Sequence, residues 1–96
     1  MSIVITFEAR AQQGKEQGLL DYFRQSLVDT RSFEGCIEVK LHTEEDSPTT
    51  LYMYEEWESK QAYENYLAWR GERGDMEKLM EFLEAEPVIR FFEKQD

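Results

Sequence analysis

Ile3, Ile5 and Phe7 alternate with Val4, Thr6 and Glu8, the period of two expected of a strand with one face more apolar. Gln12-Gln13-Gly14 reads as a turn, and from Lys15 to about Arg31 the period changes. Leu19, Leu20, Phe23 and Leu27 recur there at helical spacing among charged residues, so a long amphipathic helix buries one stripe. Phe33-Glu34-Gly35 ends it, the glycine supplying a backbone position free of the Cβ restriction. Alternation returns with Ile37, Val39 and Leu41 against Glu38, Lys40 and His42, a second strand with one wet face.

Glu44-Glu45-Asp46-Ser47-Pro48 reads as a polar turn whose proline and acidic residues forbid continued pairing. Leu51 to Trp57 then forms a third strand, hairpin-paired with the second. Its Leu51, Met53, Glu55 and Trp57 face one way, and Tyr52, Tyr54 and Glu56 the other. Ser59 is placed to cap a helix running to about Arg70, which Gly71 and Gly74 break. Met76, Leu79, Met80 and Leu83 mark a short third helix, core or lid, and Val88 to Phe92 after Pro87 makes a last strand.

The order β-α-β-β-α-(α)-β predicts an α+β, ferredoxin-like fold in one domain over residues 1–96. Two helices would pack on one face of a four-stranded antiparallel sheet. The tyrosines on strand three's other side, and the apolar residues on both sides of strand four, then need a cover. A homodimer packed sheet face to sheet face is expected.

Composition narrows the function. Hydrophobic residues at 41% and aromatics at 14% suit a folded domain, and no apolar run approaches the roughly 20 residues of a membrane helix. The N-terminus lacks a signal peptide's basic flank, which makes a cytoplasmic location the default. Eleven Lys and Arg against 21 Asp and Glu give a net charge of −10, which repels phosphate backbones and anionic membranes. Neither nucleic acid nor membrane is an expected partner. One cysteine excludes an internal disulfide framework, and one histidine excludes a site needing several imidazoles. Cys36 and His42, six residues apart on one strand, stand about 20 Å apart, too far for a nucleophile–base pair. His42 is expected on the polar face. Glu44-Glu45-Asp46 lacks the glycine and alternating ligands of a calcium loop, and Gly71 and Gly74 are not followed by the Lys-Ser/Thr of a phosphate loop. No metal site is expected.

The candidate chemistry lies between Trp57 and Arg70, where four large aromatics and an arginine fall together. Tyr63, Tyr66 and Arg70 are three and four apart and share one helical face, with Trp57 at the strand exit ahead of them. Such a surface lines a pocket for a flat organic molecule, or it is core. Arg70 on an inward stripe needs a carboxylate such as Glu55 or an anionic ligand, because an unpaired buried charge costs several kcal/mol. Glu55 and Glu56, adjacent in a strand, point to opposite faces and form no carboxylate dyad.

Several segments carry a resemblance across nearly the whole chain: Phe33-Glu34-Gly35-Cys36 entering strand two, Tyr54-Glu55-Glu56-Trp57 leaving strand three, then Tyr63 and Tyr66-Leu67-Ala68. In order and spacing they resemble the antibiotic biosynthesis monooxygenase family, small dimeric ferredoxin-like α+β barrels. The resemblance implies a deprotonated quinol or anthrone held between helices and sheet and attacked by O2 without metal, flavin or other cofactor. Trp57 and Tyr63 match a tryptophan–tyrosine pair six apart that contributes to such pockets. By the resemblance, Tyr63 and Arg70 are the catalytic candidates, and Trp57, Tyr66, Trp69 and Phe23 would bind the substrate. Where other members place an asparagine on strand three, this chain has Met53. The positions that the haem-degrading branch fills with Asn, Trp and an axial His hold Phe7, Tyr66 and about Met76, so haem degradation is not expected. Alternative readings on the same fold are a non-enzymatic dimeric binding or stress-associated module, and an isomerase of a small carbonyl compound.

Overall fold

The computed structural model describes residues 2–96. Among them the elements run β1 (Ile3–Arg10), α1 (Glu16–Ser32), β2 (Cys36–Glu44), β3 (Ser47–Trp57), α2 (Lys60–Glu72), α3 (Asp75–Met80) and β4 (Val88–Glu93). The strands form one antiparallel sheet in the order β2-β3-β1-β4, and the helices cover one of its faces. This is the ferredoxin-like α+β arrangement.

Alternation decides which side chains meet the helices. Phe7 and Ala9 of β1 and Leu51 and Met53 of β3 are buried against the α1 stripe of Leu19, Phe23 and Leu27, whereas Ile5 and Trp57 cluster with Tyr63 of α2, and Glu55 is buried on the same face. Each fully buried Leu or Phe contributes about 1.5–3 kcal/mol, so this layer dominates the folding energy. Two joins fix α2 over the sheet. Ser59 Oγ accepts the Ala62 N–H at 3.1 Å and caps the helix. Gly35 turns with φ of 95°, and a Cβ there would stand 2.5 Å from the Ala62 Cβ, so only glycine admits the close approach.

Three local expectations are corrected. Ile37 does not share the inward face with Val39 and Leu41: a bulge between Cys36 and Glu38 turns it out to 52% exposure and puts Cys36 opposite Trp57. The β2–β3 turn is shorter than the acidic run implied, and β3 begins at Ser47 and includes Pro48. The proline is tolerated because it lies where the register slips, between the pairs Glu44–Ser47 and Thr43–Leu51, and beyond the last β1 pair at Thr50. Gly71 stays within α2; the break falls at Gly74, whose φ is 78°.

The sheet's other face carries Tyr52, Val88 and Phe92, exposed by 36%, 46% and 44%. His42 stands there too, opposite Tyr52. No helix among the described residues is long and apolar enough to cross a membrane.

Candidate functional site

A cavity of about 50 Å³ lies between the helices and the sheet. Phe7, Met53 and Glu55 form its floor, and α1 contributes Tyr22, Phe23, Ser26, Leu27 and Thr30. Its α2 wall is Tyr63, Tyr66, Leu67 and Arg70, and Asp75, Met76 and Leu79 of α3 close it. The space holds a few waters, so an aromatic ligand enters only if the walls give way.

Arg70 is buried and donates four hydrogen bonds within the protein. Its Nε donates to the Tyr66 hydroxyl at 2.9 Å, and one terminal nitrogen donates to Asp75 Oδ2 at 2.9 Å. The other donates to the Ser26 carbonyl at 2.8 Å and to Thr30 Oγ1 at 3.1 Å. The carboxylate facing Arg70 is therefore Asp75 and not Glu55 as the sequence led us to expect. Burial would raise the Asp75 carboxyl, but the hydrogen bonds from Arg70 and Arg73 outweigh it and hold the pKa below its ordinary value. The Thr30 and Tyr66 hydroxyls lie 2.7 Å apart, so Arg70 and Thr30 together fix the Tyr66 hydroxyl.

Glu55 is the exception to this pairing. It is 3% exposed, and its Oε1 accepts the Trp57 indole N–H at 2.9 Å. Among the described residues no other hydrogen bond reaches the carboxyl and no cation pairs with it. Burial pushes its pKa up to about 7, the Trp57 N–H restraining the rise. Tyr63, 1% exposed, makes no hydrogen bond through its hydroxyl among these residues, and burial with the nearby Glu55 pushes its pKa up strongly. Among the described residues no completely enclosed polar side-chain atom lacks a partner, so the Tyr63 hydroxyl and the second Glu55 oxygen each keep some accessible surface. Both residues line the cavity.

The model of the antibiotic biosynthesis monooxygenase family matches residues 2–70, well over half of the chain. The chain belongs to this family. No curated protein sequence matches it significantly. Solved structures share the family fold at low identity. A conserved protein from Methanosarcina mazei Go1 is 22% identical, with a TM-score of 0.89 over 99% of this chain and 94% of that one. A structure named antibiotic biosynthesis monooxygenase is 16% identical, with a TM-score of 0.86 over 100% of both chains. A mutant of SnoaB, named a cofactor-independent oxygenase from Streptomyces nogalater, is 14% identical, with a TM-score of 0.84 over 99% of this chain and 94% of that one.

Of the residues expected to form this family member's site, Phe23, Tyr63, Tyr66 and Arg70 do meet around one cavity. Trp57 and Trp69 do not line it. Trp57 is wholly buried behind Tyr63, ring centroids 5.4 Å apart, because the end of β3 packs under α2. Trp69 lies on the outer side of α2 against Phe33, with Arg70 and Arg73 each 4.8 Å from its ring. Sequence reasoning missed Ser26, Thr30 and Asp75. Ser26 and Thr30 continue the Phe23–Leu27 stripe at three- and four-residue steps, a signal available in the sequence. Asp75 directly follows the Gly74 break, and nothing in its pattern pointed to Arg70.

Proposed function

We propose that this single domain is a cofactor-independent monooxygenase that oxidises a small hydroxyaromatic of the quinol or anthrone type. The observation that carries the reading is Tyr63, a buried residue on the wall of an aromatic-lined cavity whose hydroxyl has no hydrogen-bond partner among the described residues. A hydroxyl left free on a cavity wall is available to a ligand, and a substrate oxygen supplies the hydrogen-bond partner. With its pKa raised, Tyr63 stays protonated and donates to a substrate anion. The substrate supplies the electrons. Its anion passes one to O2, the resulting radical pair joins at a ring carbon, and loss of water leaves a hydroxyquinone from a quinol or a ketone from an anthrone. Arg70, with its donors directed to protein acceptors, serves by holding Tyr66 and α3 in place. Trp57 supports the site from behind, and Trp69 packs outside it.

The exposed Tyr52, Val88 and Phe92 support a homodimer closed through its sheet faces, and a cytoplasmic setting is part of the same proposal. A second reading, a small-molecule-binding module without catalysis, draws on the same Arg70: among the described residues, four of its five N–H donors are taken by protein acceptors, which leaves little to steady a substrate anion.

Oxygen uptake with chelator-treated protein and a panel of quinols and anthrones separates the two. The oxygenase reading expects O2 consumption and a product gaining one oxygen and losing two hydrogens. It also expects Tyr63→Phe to slow turnover about 10-fold or more. Ligand binding without uptake above buffer would favour the binding module.

A further inference from the structure

We propose that Glu55 is the proton acceptor of the cavity, taking the acidic hydrogen of a hydroxyaromatic, or of an aryl ketone with an acidic C–H, while Tyr63 donates to the oxygen that becomes negative. The proposal rests on the reading of this cavity as a substrate site. Packing gives no reason for the carboxylate: it lies among Ile5, Val39 and Trp57, where an apolar residue would avoid the cost of burying it. A buried carboxylate is ordinarily paired, and this one has a single neutral donor, the Trp57 indole.

The groups around it fit the role. From α2, Tyr63 and Tyr66 face it, and from β2, Cys36, whose thiol is pushed up to about 11 by burial and by Glu55 itself. Its cross-strand neighbours Ile5 and Val39 carry no charge. Arg70 on the same wall is committed to Asp75. Cys36, Tyr63 and Tyr66 thus keep their protons near neutral pH, and Glu55 is the group that titrates there. A base of that strength is matched to its task, half ionised and still able to draw a proton. Trp57 holds Oε1 and leaves Oε2 to work.

In the step, the substrate O–H or C–H bond breaks and an O–H bond forms on Oε2. The electron pair stays on the substrate as phenolate or enolate, and Glu55 becomes a neutral acid. When O2 has reacted, that proton leaves with the peroxide oxygen lost as water. Without O2 the proton returns to the atom it left, which is carbon for an aryl ketone.

The last point gives a test that needs no oxygen chemistry: anaerobic exchange of the anthrone methylene hydrogens in D2O. Wild-type protein is expected to accelerate exchange over buffer, following the ionisation of a group near neutral pH. Glu55→Gln is expected to lose at least about 100-fold while still binding anthrone. Glu55→Asp retains part of the rate. Trp57→Phe removes the N–H donor and moves the pH midpoint upward. Exchange by Glu55→Gln at the wild-type rate, or no wild-type exchange above buffer, overturns the assignment. If Glu55→Gln does not fold, an unmoved midpoint in Trp57→Phe overturns it. Exchange without oxygen uptake keeps the role of Glu55 and removes the oxygenase reading. Uptake without exchange does the reverse.

Discussion

Glu55→Gln should change how stability depends on pH, independently of any substrate. In the folded chain the carboxyl titrates at about 7, whereas in the unfolded chain it returns to the ordinary value near 4.3. Between those values the native protein holds a proton that the unfolded chain has released. Stability therefore falls as pH rises through this window, at up to about 1.4 kcal/mol per pH unit. The contribution is fully present below the lower value and lost above the upper one, a total of about 4 kcal/mol. Glutamine keeps an oxygen for the Trp57 N–H but does not titrate. Any cost of its unpartnered amide is the same at every pH. Subtracting the two stability curves isolates Glu55, because groups common to both proteins cancel and Cys36 titrates well above the window. Urea denaturation at fixed protein concentration, followed by tryptophan fluorescence from about pH 5 to about pH 8, supplies the curves. Relative to wild type, the variant should gain about 2–3 kcal/mol across that range. Curves that stay parallel within about 0.5 kcal/mol would show that Glu55 is not a desolvated carboxylate, and the argument for it as a base would fall with them.

Asp75→Asn should cost about 3–5 kcal/mol in urea denaturation, since it leaves the buried Arg70 guanidinium without its carboxylate. That difference should shrink in acid: the depressed Asp75 pKa lends stability above the ordinary carboxylate value, which is lost as pH falls through the folded value. Gly35→Ala should destabilise by about 1–3 kcal/mol or prevent folding, because its φ of 95° and the Ala62 contact both exclude a Cβ; thermal melts compare it with Gly14→Ala, which shares only the positive φ. Phe92→Asp on the outward sheet face should convert the proposed dimer to monomer in light scattering without loss of secondary structure. A wild-type protein that already runs as a monomer of 11.5 kDa would remove the dimer.

The strands and helices were legible because each apolar stripe repeats with one period over several residues. Leu51, Met53, Glu55 and Trp57 fell on one face as read. Ile37 was misplaced because alternation cannot register an inserted residue, and the bulge is set by pairing with β3. Pro48 reads as a strand breaker on its own chemistry, whereas its place beyond the β1 ladder depends on how far β1 extends. The stripe of Tyr63, Tyr66 and Arg70 follows from helical spacing. The partner of Arg70 does not, since Asp75 reaches it only through the Gly74 turn. The sequence offers a carboxylate such as Glu55 or an anionic ligand as that partner; with Arg70 bonded to Asp75, Glu55 stands as a buried acid with no cation beside it among the described residues. Which of two nearby carboxylates receives a guanidinium is a matter of ångströms, not of pattern.

A crystal structure with a non-oxidisable hydroxyaromatic at saturating concentration tests the central claim most directly. The account predicts ligand density between α1, α2 and the sheet, with its hydroxyl oxygen within hydrogen-bond distance of Tyr63 and Glu55 and with the cavity walls displaced to admit it. An empty cavity at saturation, or ligand found only on the outer face of the sheet, would contradict it.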